Sequence, residues 1–267
     1  WTDCFTPTPV TYKIGVVIDL EMFKYLEAEG IEPEIYADQM ISQANVIYTV
    51  QVSMQIKMTQ ILVIRNETAP FFTTCKTGTK PMDRQLAKMA EWQTAFDIKT
   101  VGYWHLFSGC DYSDPILGLT YIDTLCAHPF NVGLSRGKSN ISWWVFAHEM
   151  GHHIGAQHSF ENGVGTTGGL MDYDTTPLDG AWQFNSAFQK NPVCTHIQRA
   201  LTQSCPFFSK IIPIKPIDDD SDDDNDTTDA TWIAVVAVTI PAFAVLAYGL
   251  YVVYQQQHNY KKVFNEK

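Results

Sequence analysis

Four side chains within one short segment have the types and the spacing of a catalytic metal site. His148 and His152 lie four residues apart, so on a helix both imidazoles leave the same face and can share one ion. Glu149 follows the first histidine, where its carboxylate can reach a metal-bound water. His158 can return as a third ligand if the chain turns sharply at Gly155, because glycine accepts a positive φ. Three neutral nitrogens leave the fourth zinc position open for water, which is typical of a catalytic site.

This arrangement is the pattern H-E-x-x-H-x-x-G-x-x-H, and it predicts hydrolysis of a peptide bond. One catalytic zinc ion would lower the pKa of its bound water to about 7 and polarise the carbonyl. Glu149 would take the proton of that water and later pass it to the leaving amine. His153 points away from the ligand face, so we interpret it as structural or solvent-facing.

Strand and helix patterns alternate along residues 1–205, which predicts an α/β domain. Alternating or continuous apolar runs predict strands at 12–18, 52–64, 101–107 and 118–125. Helical periodicity predicts helices at 34–48, 82–96, 142–154 and 195–202. The helix at 142–154 would carry the metal motif, with Ser142 as its N-cap and Gly155 as its terminator.

Six dispersed cysteines and three Asn-x-Ser/Thr triplets indicate an oxidising compartment. Because no CxxC pair occurs, a structural zinc site is not expected, and up to three disulfides can form. Six buried free thiols are the alternative. The glycosylation candidates are Asn66, Asn140 and Asn225.

The composition changes after residue 205. Residues 206–231 are rich in proline and aspartate, and much of the net charge of −11 lies there, so an extended, solvated stalk is predicted. Calcium binding by these aspartates is not expected, since the glycine and terminal glutamate of an EF-hand loop are missing. The chain has no basic patch, which argues against nucleic acid as a partner. The sequence indicates no oligomeric state.

Residues 232–254 carry no formal charge and are long enough for one transmembrane helix, with a buried helix of a soluble protein as the alternative. Lysines in the tail at 255–267 and aspartates before the span place the C-terminus in the cytoplasm. The expected topology is that of a single-pass type I membrane protein whose catalytic domain is extracellular or lumenal.

Several segments outside the metal motif also resemble a known family, each more weakly than the motif itself. Residues 14–23, 118–126, 169–173, 184–186 and 194–197, and then Cys205, occur in the order found in a known family. With the zinc motif, they make the chain resemble the metzincin metalloproteases, and among them the adamalysin (reprolysin) family of ADAM and snake-venom catalytic domains. The resemblance covers about residues 10–205.

The resemblance implies a twisted, mostly parallel five-stranded sheet with an active-site helix, a cleft and a small lower subdomain. It places an extended substrate beside an edge strand at Leu119, Thr120 and Tyr121. It places Met171 below the zinc, in a Met-turn. It also implies a Cys126–Cys205 bridge, which leaves open the pairing of the other cysteines, Cys4, Cys75, Cys110 and Cys194.

Some positions depart from the adamalysin pattern. Tyr173 follows Met171 by two residues, as in astacins and serralysins, whose tyrosine can approach the zinc and assist the oxyanion. A phenol packed in the pocket wall is the alternative. Ser159 follows the third histidine, where adamalysins usually carry aspartate. Lys13 occupies the place of an acidic calcium ligand, so the calcium site of the family is not expected. A disintegrin-like region after the catalytic domain is not expected. Residues 174–182 would set the side-chain preference after the cut bond.

The function predicted is that of a membrane-anchored zinc endopeptidase acting on extracellular or membrane-proximal proteins. A catalytically silent adhesion or receptor ectodomain on the same scaffold is the alternative, because motif and activity are separable. The intact set of three histidines and Glu149 favours the enzyme.

Overall fold

The computed structural model describes residues 1, 9–66, 75, 81–95, 100–113, 115–160, 163–173 and 178–211. The predicted transmembrane segment at 232–254, the tail at 255–267, most of the predicted stalk and Asn225 lie outside these ranges. Within them, no helix has both the length and the apolar character needed to cross a membrane.

A mostly parallel sheet forms the centre of the fold. The strands are β1 (Val10–Ile18), β2 (Met54–Val63), β3 (Tyr103–Ser108), β4 (Gly118–Thr120), β5 (Val132–Arg136) and β6 (Phe208–Lys210). Their order is β2-β1-β3-β5-β4 with β6 beside β1, so the described sheet has six strands where the resemblance implied five. The first four in this order are parallel neighbours, while β4 runs antiparallel to β5 at one edge and β6 pairs antiparallel with β1. The α/β class and the mostly parallel sheet are as expected.

Five helices cover this sheet in the described part of the chain. They are α1 (Leu20–Glu29), α2 (Pro33–Val52), α3 (Pro81–Ala95), α4 (Ser142–His153) and α5 (Ser186–Thr202). Side chains of β1 are buried on both faces, which explains its continuous apolar run. Ile14, Val16 and Ile18 join the core formed with α2, α4 and α5, whereas Val17 joins the core formed with α3.

The strand predicted at 118–125 was too long, because β4 ends at Thr120. Asp123 and Cys126 adopt positive φ angles of 58° and 59°. The backbone N–H of Asp123 donates to His152 O and that of Thr124 to His153 O, at 2.9 and 3.1 Å. These amides therefore bond to the end of α4 instead of extending the sheet.

Other boundaries also differ from the sequence prediction. Ser142 is not an N-cap; its hydroxyl donates to Arg136 O at 2.9 Å, and Ile141 occupies the cap position without a side-chain bond. Helix α5 begins at Ser186 rather than at residue 195. The strand β6 falls in residues assigned to the stalk, so the folded domain continues past residue 205.

Disulfides connect the loops around the sheet. Cys126 and Cys205 are bonded, which is the pairing that the resemblance implied. Cys75 is bonded to Cys110, which answers part of the open pairing question. Cys194 is also in a disulfide, and none of the described cysteines is free.

Candidate metal centre and active site

Helix α4 and the turn that follows it bring three histidines together. After His153 the chain reverses at Gly155, whose φ is +100°. A β-carbon at Gly155 would lie 2.0 Å from Cδ2 of His196, so the turn requires glycine for its conformation and for its space. The chain beyond this turn returns His158 to the histidine pair on the helix.

The three ligand nitrogens lie within 4.8 Å of one another, and the two separations that involve His158 match a tetrahedral zinc site. Nε2 of His158 lies 3.1 Å from Nε2 of His152 and 3.3 Å from Nε2 of His148. Zinc–nitrogen bonds of about 2.0–2.1 Å in a tetrahedron separate the nitrogens by about 3.3 Å. The described histidines therefore fit one zinc ion.

Hydrogen bonds fix the orientation of the two helical ligands. Nδ1 of His148 lies 2.6 Å from Leu170 O, and Nδ1 of His152 lies 2.9 Å from Ala156 O. Each Nδ1–H donates to its carbonyl, which leaves the Nε2 lone pair pointing toward the shared centre. Burial lowers the pKa of His148 to about 3 and that of His152 to about 4. Both rings are therefore neutral at physiological pH, as metal ligands must be.

Met171 packs against α4 at Gly151, next to the ligand His152; its placement below the zinc stays a prediction of the resemblance. Its side chain is buried, and a β-carbon at Gly151 would lie only 2.6 Å from its sulfur. The same β-carbon would approach Phe184 within 3.0 Å, so Phe184 is a second support. Gln51 holds Phe184 by two bonds, donating to its carbonyl at 3.0 Å and accepting from its N–H at 2.6 Å. No spacing in the sequence linked Gln51 to the site.

Glu149 lies at the base of a cleft between α4 and β4. Its side chain is buried, and burial raises its pKa to about 8. A β-carbon at Gly118 would lie 2.6 Å from Oε1 of Glu149, so the edge strand passes directly over the carboxylate. The cleft has a volume of about 580 Å³ and is lined mainly by apolar side chains, including Ile116, Leu117, Leu119, Ile122, Ile141, Trp144 and Val145.

Two of the three residues predicted to bind the substrate backbone line the cleft, and the third does not. Leu119 and Thr120 belong to β4 and line the cleft. Thr120 turns its hydroxyl inward and donates to Val132 O at 2.7 Å. Tyr121 follows the strand, is not among the cleft-lining residues, and packs edge-on against Phe130 with ring centroids 5.3 Å apart.

Tyr173 lines the cleft beside the third histidine. Its ring lies edge-on to His158, with centroids 4.8 Å apart, and 64% of the residue is exposed. Asp172 fixes the adjoining backbone, because its carboxylate accepts the N–H groups of Gly165, Gly168 and Tyr173 at 2.7–2.9 Å. An oxyanion role for the phenol stays a prediction.

His153 is fully buried, so of the two interpretations from the sequence the structural one holds and the solvent-facing one is wrong. Its Nε2 lies 2.8 Å from the Tyr12 hydroxyl and its Nδ1 lies 2.9 Å from the Thr124 hydroxyl. These bonds tie α4 to the central strand and to the loop after β4. Among the glycosylation candidates, Asn66 and Asn140 are exposed.

Three histidines converge beside a buried glutamate in an α/β domain, and a buried methionine packs against the helix that carries two of them. These features are typical of a metallopeptidase. Residues 37–190 match the family described as "Metallo-peptidase family M12B Reprolysin-like". The chain belongs to this family, as the resemblance in the sequence indicated.

Similar proteins come from the snake Deinagkistrodon acutus. "Snake venom metalloproteinase Ac1" is 28% identical over 85 residues, covering 30% of this chain and 42% of that protein. "Zinc metalloproteinase recombinant fibrinogenase II" is 33% identical over 89 residues, covering 31% of this chain and 38% of that protein. The chain thus spans about two fifths of the length of these curated relatives.

A solved structure described as "Structure of a chaperone-substrate complex" aligns with a TM-score of 0.50 and 12% identity. The alignment covers 74% of this chain and 35% of that chain. At this identity the likeness concerns the fold alone.

Proposed function

We propose that the chain is a zinc-dependent endopeptidase. The observation that carries this proposal is the convergence of three neutral imidazole nitrogens beside the buried carboxylate of Glu149, at the base of an apolar cleft. Family membership supports the same reaction class. His148, His152 and His158 would hold the ion.

The ion, when bound, would supply Lewis acidity toward the substrate carbonyl and lower the pKa of the attacking water. Glu149 takes the proton of that water and delivers it to the leaving amine. Burial raises the pKa of Glu149 to about 8, and a cation bound beside it would lower that pKa toward the range in which one group can accept and release a proton in a cycle. Burial of Glu149 in the cleft keeps bulk water from competing for that proton.

The cleft favours an extended peptide with an apolar side chain. β4 is the last strand of the sheet and pairs on one side with β5, so its other edge can bond a substrate backbone. Ile141, Trp144 and Val145 supply an apolar wall next to Glu149. Trp182 extends this wall by packing against Trp144 at 4.5 Å between centroids. An aliphatic or aromatic residue beside the cut bond is the expected preference.

We place the enzyme at a membrane, with its catalytic domain outside the cell or in a secretory lumen. The uncharged segment 232–254 and the acidic stalk before it support an anchor at the C-terminal side. The disulfides support an oxidising compartment. Substrates would then be extracellular or membrane-proximal proteins, and glycans would be carried on exposed Asn66 and Asn140.

The test is cleavage of a peptide library by the purified chain, with and without a zinc chelator. Glu149→Gln should retain zinc, measured by elemental analysis, and lose cleavage by at least about 10³-fold, because the proton acceptor is gone. Glu91→Gln, on the exposed face of α3, is the matched control and should cleave normally.

Two outcomes would contradict this proposal. Cleavage by Glu149→Gln at the wild-type rate would refute the assigned base. A zinc-loaded wild-type protein that cleaves no peptide in the library would favour the silent ectodomain instead.

A further inference from the structure

The third histidine is held differently from the other two. His148 and His152 each donate Nδ1–H to a backbone carbonyl. His158 makes no such bond within the described part of the chain. Its ring instead belongs to a cluster of three mutually touching rings. It is stacked on Phe160 at 4.8 Å and 23° and edge-on to Tyr173 at 4.8 Å and 68°, and Phe160 and Tyr173 contact each other at 4.8 Å.

One buried side chain from α5 bonds the residues on both sides of His158, the backbone of Gln157 and the hydroxyl of Ser159. The amide of Gln189 accepts the N–H of Gln157 at 3.1 Å and donates to the carbonyl of Gln157 at 2.8 Å. It also donates to the hydroxyl of Ser159. The side chain is 2% exposed, so water does not compete for these bonds. The N–H of Ser159 in turn donates to Met171 O at 3.1 Å.

We infer that Gln189, Phe160 and Tyr173 together form a third-ligand holder, which keeps His158 oriented toward the metal. Gln189 fixes the backbone, and the two rings fix the rotation of the imidazole. These three are positioning residues, since they act through His158. The inference rests on the metal site of the proposed function.

A holder is needed because His158 lies outside α4. The helix aligns its own two histidines through backbone geometry, whereas a loop residue must lose conformational entropy each time it binds the ion. Contacts that restrict it beforehand reduce that loss and raise the affinity for zinc. Partners that orient metal ligands typically change metal affinity by about 10–100-fold when they are removed.

The holder also assigns a specific role to Tyr173. The phenol ring and the imidazole are edge-on with centroids 4.8 Å apart, so the contact is one between the two rings. Tyr173→Phe should therefore keep the zinc affinity, whereas Tyr173→Leu should lower it. A hydroxyl that bound the ion directly would give a different result, because both variants would then lower the affinity.

The experiment measures the zinc dissociation constant of the full chain by competition with a chromophoric chelator. Gln189→Met and Tyr173→Leu are each expected to raise it by about 10-fold or more. Gln93→Met is the matched control, because Gln93 is also a buried glutamine but bonds Pro129 O and the side chain of Asn131. This control and Tyr173→Phe should stay within about twofold of wild type, a change of about 0.4 kcal/mol or less.

The absorption spectrum of the Co²⁺-loaded protein reports the geometry of the metal ligands, and a general loss of stability does not change it. Tyr173→Leu should alter the visible bands at saturating Co²⁺, and Gln93→Met should not. The inference is overturned if Gln189→Met and Tyr173→Leu bind zinc like wild type, or if Tyr173→Phe weakens binding as much as Tyr173→Leu. If the wild-type chain binds no zinc, both the proposed function and the third-ligand holder are refuted. If the wild-type chain binds zinc and the variants bind it equally well, only the holder is refuted.

Discussion

Gly118 offers a direct test of how the edge strand is placed over the catalytic base. A β-carbon there would lie 2.6 Å from Oε1 and 2.8 Å from Cγ of Glu149, and 2.8 Å from Cγ1 of Val145. A comfortable carbon–oxygen contact is about 3.3 Å. In Gly118→Ala, the carboxylate or the strand must therefore move by about 0.7 Å.

A displacement of this size at the base is costly for catalysis. Misplacement of a reacting group by about 1 Å can lower a rate by about 100-fold. We expect Gly118→Ala to lower kcat by about 10–100-fold, which corresponds to about 1.4–2.7 kcal/mol in the activation barrier. Zinc affinity should stay unchanged, because the three atoms nearest to the new methyl group belong to Glu149 and Val145 and not to the histidines.

The assay combines single-peptide kinetics with the zinc competition measurement. Gly30→Ala is the matched control: Gly30 has φ +69° and no atom within 4 Å of the added carbon, so this variant loses stability without touching the cleft. A zinc-loaded Gly118→Ala enzyme with kcat within twofold of wild type would refute the placement of β4 over Glu149.

Two further predictions concern stability. Burial lowers the pKa of His105 to about 3, below its unfolded value of about 6.5, so the unfolded chain binds more protons between these values and stability falls as the pH drops. Between pH 7 and pH 5, wild type should lose about 2 kcal/mol more unfolding free energy in urea titrations than His105→Gln; equal losses would contradict a neutral buried imidazole. Gly155→Ala should lower the unfolding free energy by about 2–4 kcal/mol through strain at φ +100° and contact with His196. Adding His196→Ala should restore the contact part, and no recovery would argue against that packing.

The sequence predicted the parts of this protein that obey local rules. The spacing of His148, Glu149 and His152 depends only on helical geometry, so the metal motif and its helix could be placed without tertiary information. Strand β1 was found because its apolar run is continuous, and β2 because apolar and polar residues alternate along it. Helix α1 was missed: its capping carboxylate, Asp19, also receives bonds from Ser108 and Gly109, which are distant in the sequence.

The supports of the site could not be predicted for the same reason. Gln51 and Gln189 are ordinary helical glutamines in the sequence, and their roles arise when α2 and α5 dock beside Phe184 and His158. The premature end of β4 likewise depends on amides that bond to the end of α4. Such contacts join residues about 30 or more positions apart, which no local periodicity records.

The pairing of β6 with β1 has a consequence for the order of folding. Val10 lies opposite Lys210, so the first strand is completed by a segment that follows it by 200 residues. During synthesis, nearly the whole domain must be translated before the amino-terminal half of β1 can pair with β6. Contacts of such separation slow folding and prolong the exposure of unpaired backbone. The pairing of β1 with β6 therefore forms late. A chaperone acting during translation would matter most before Phe208–Lys210 has left the ribosome.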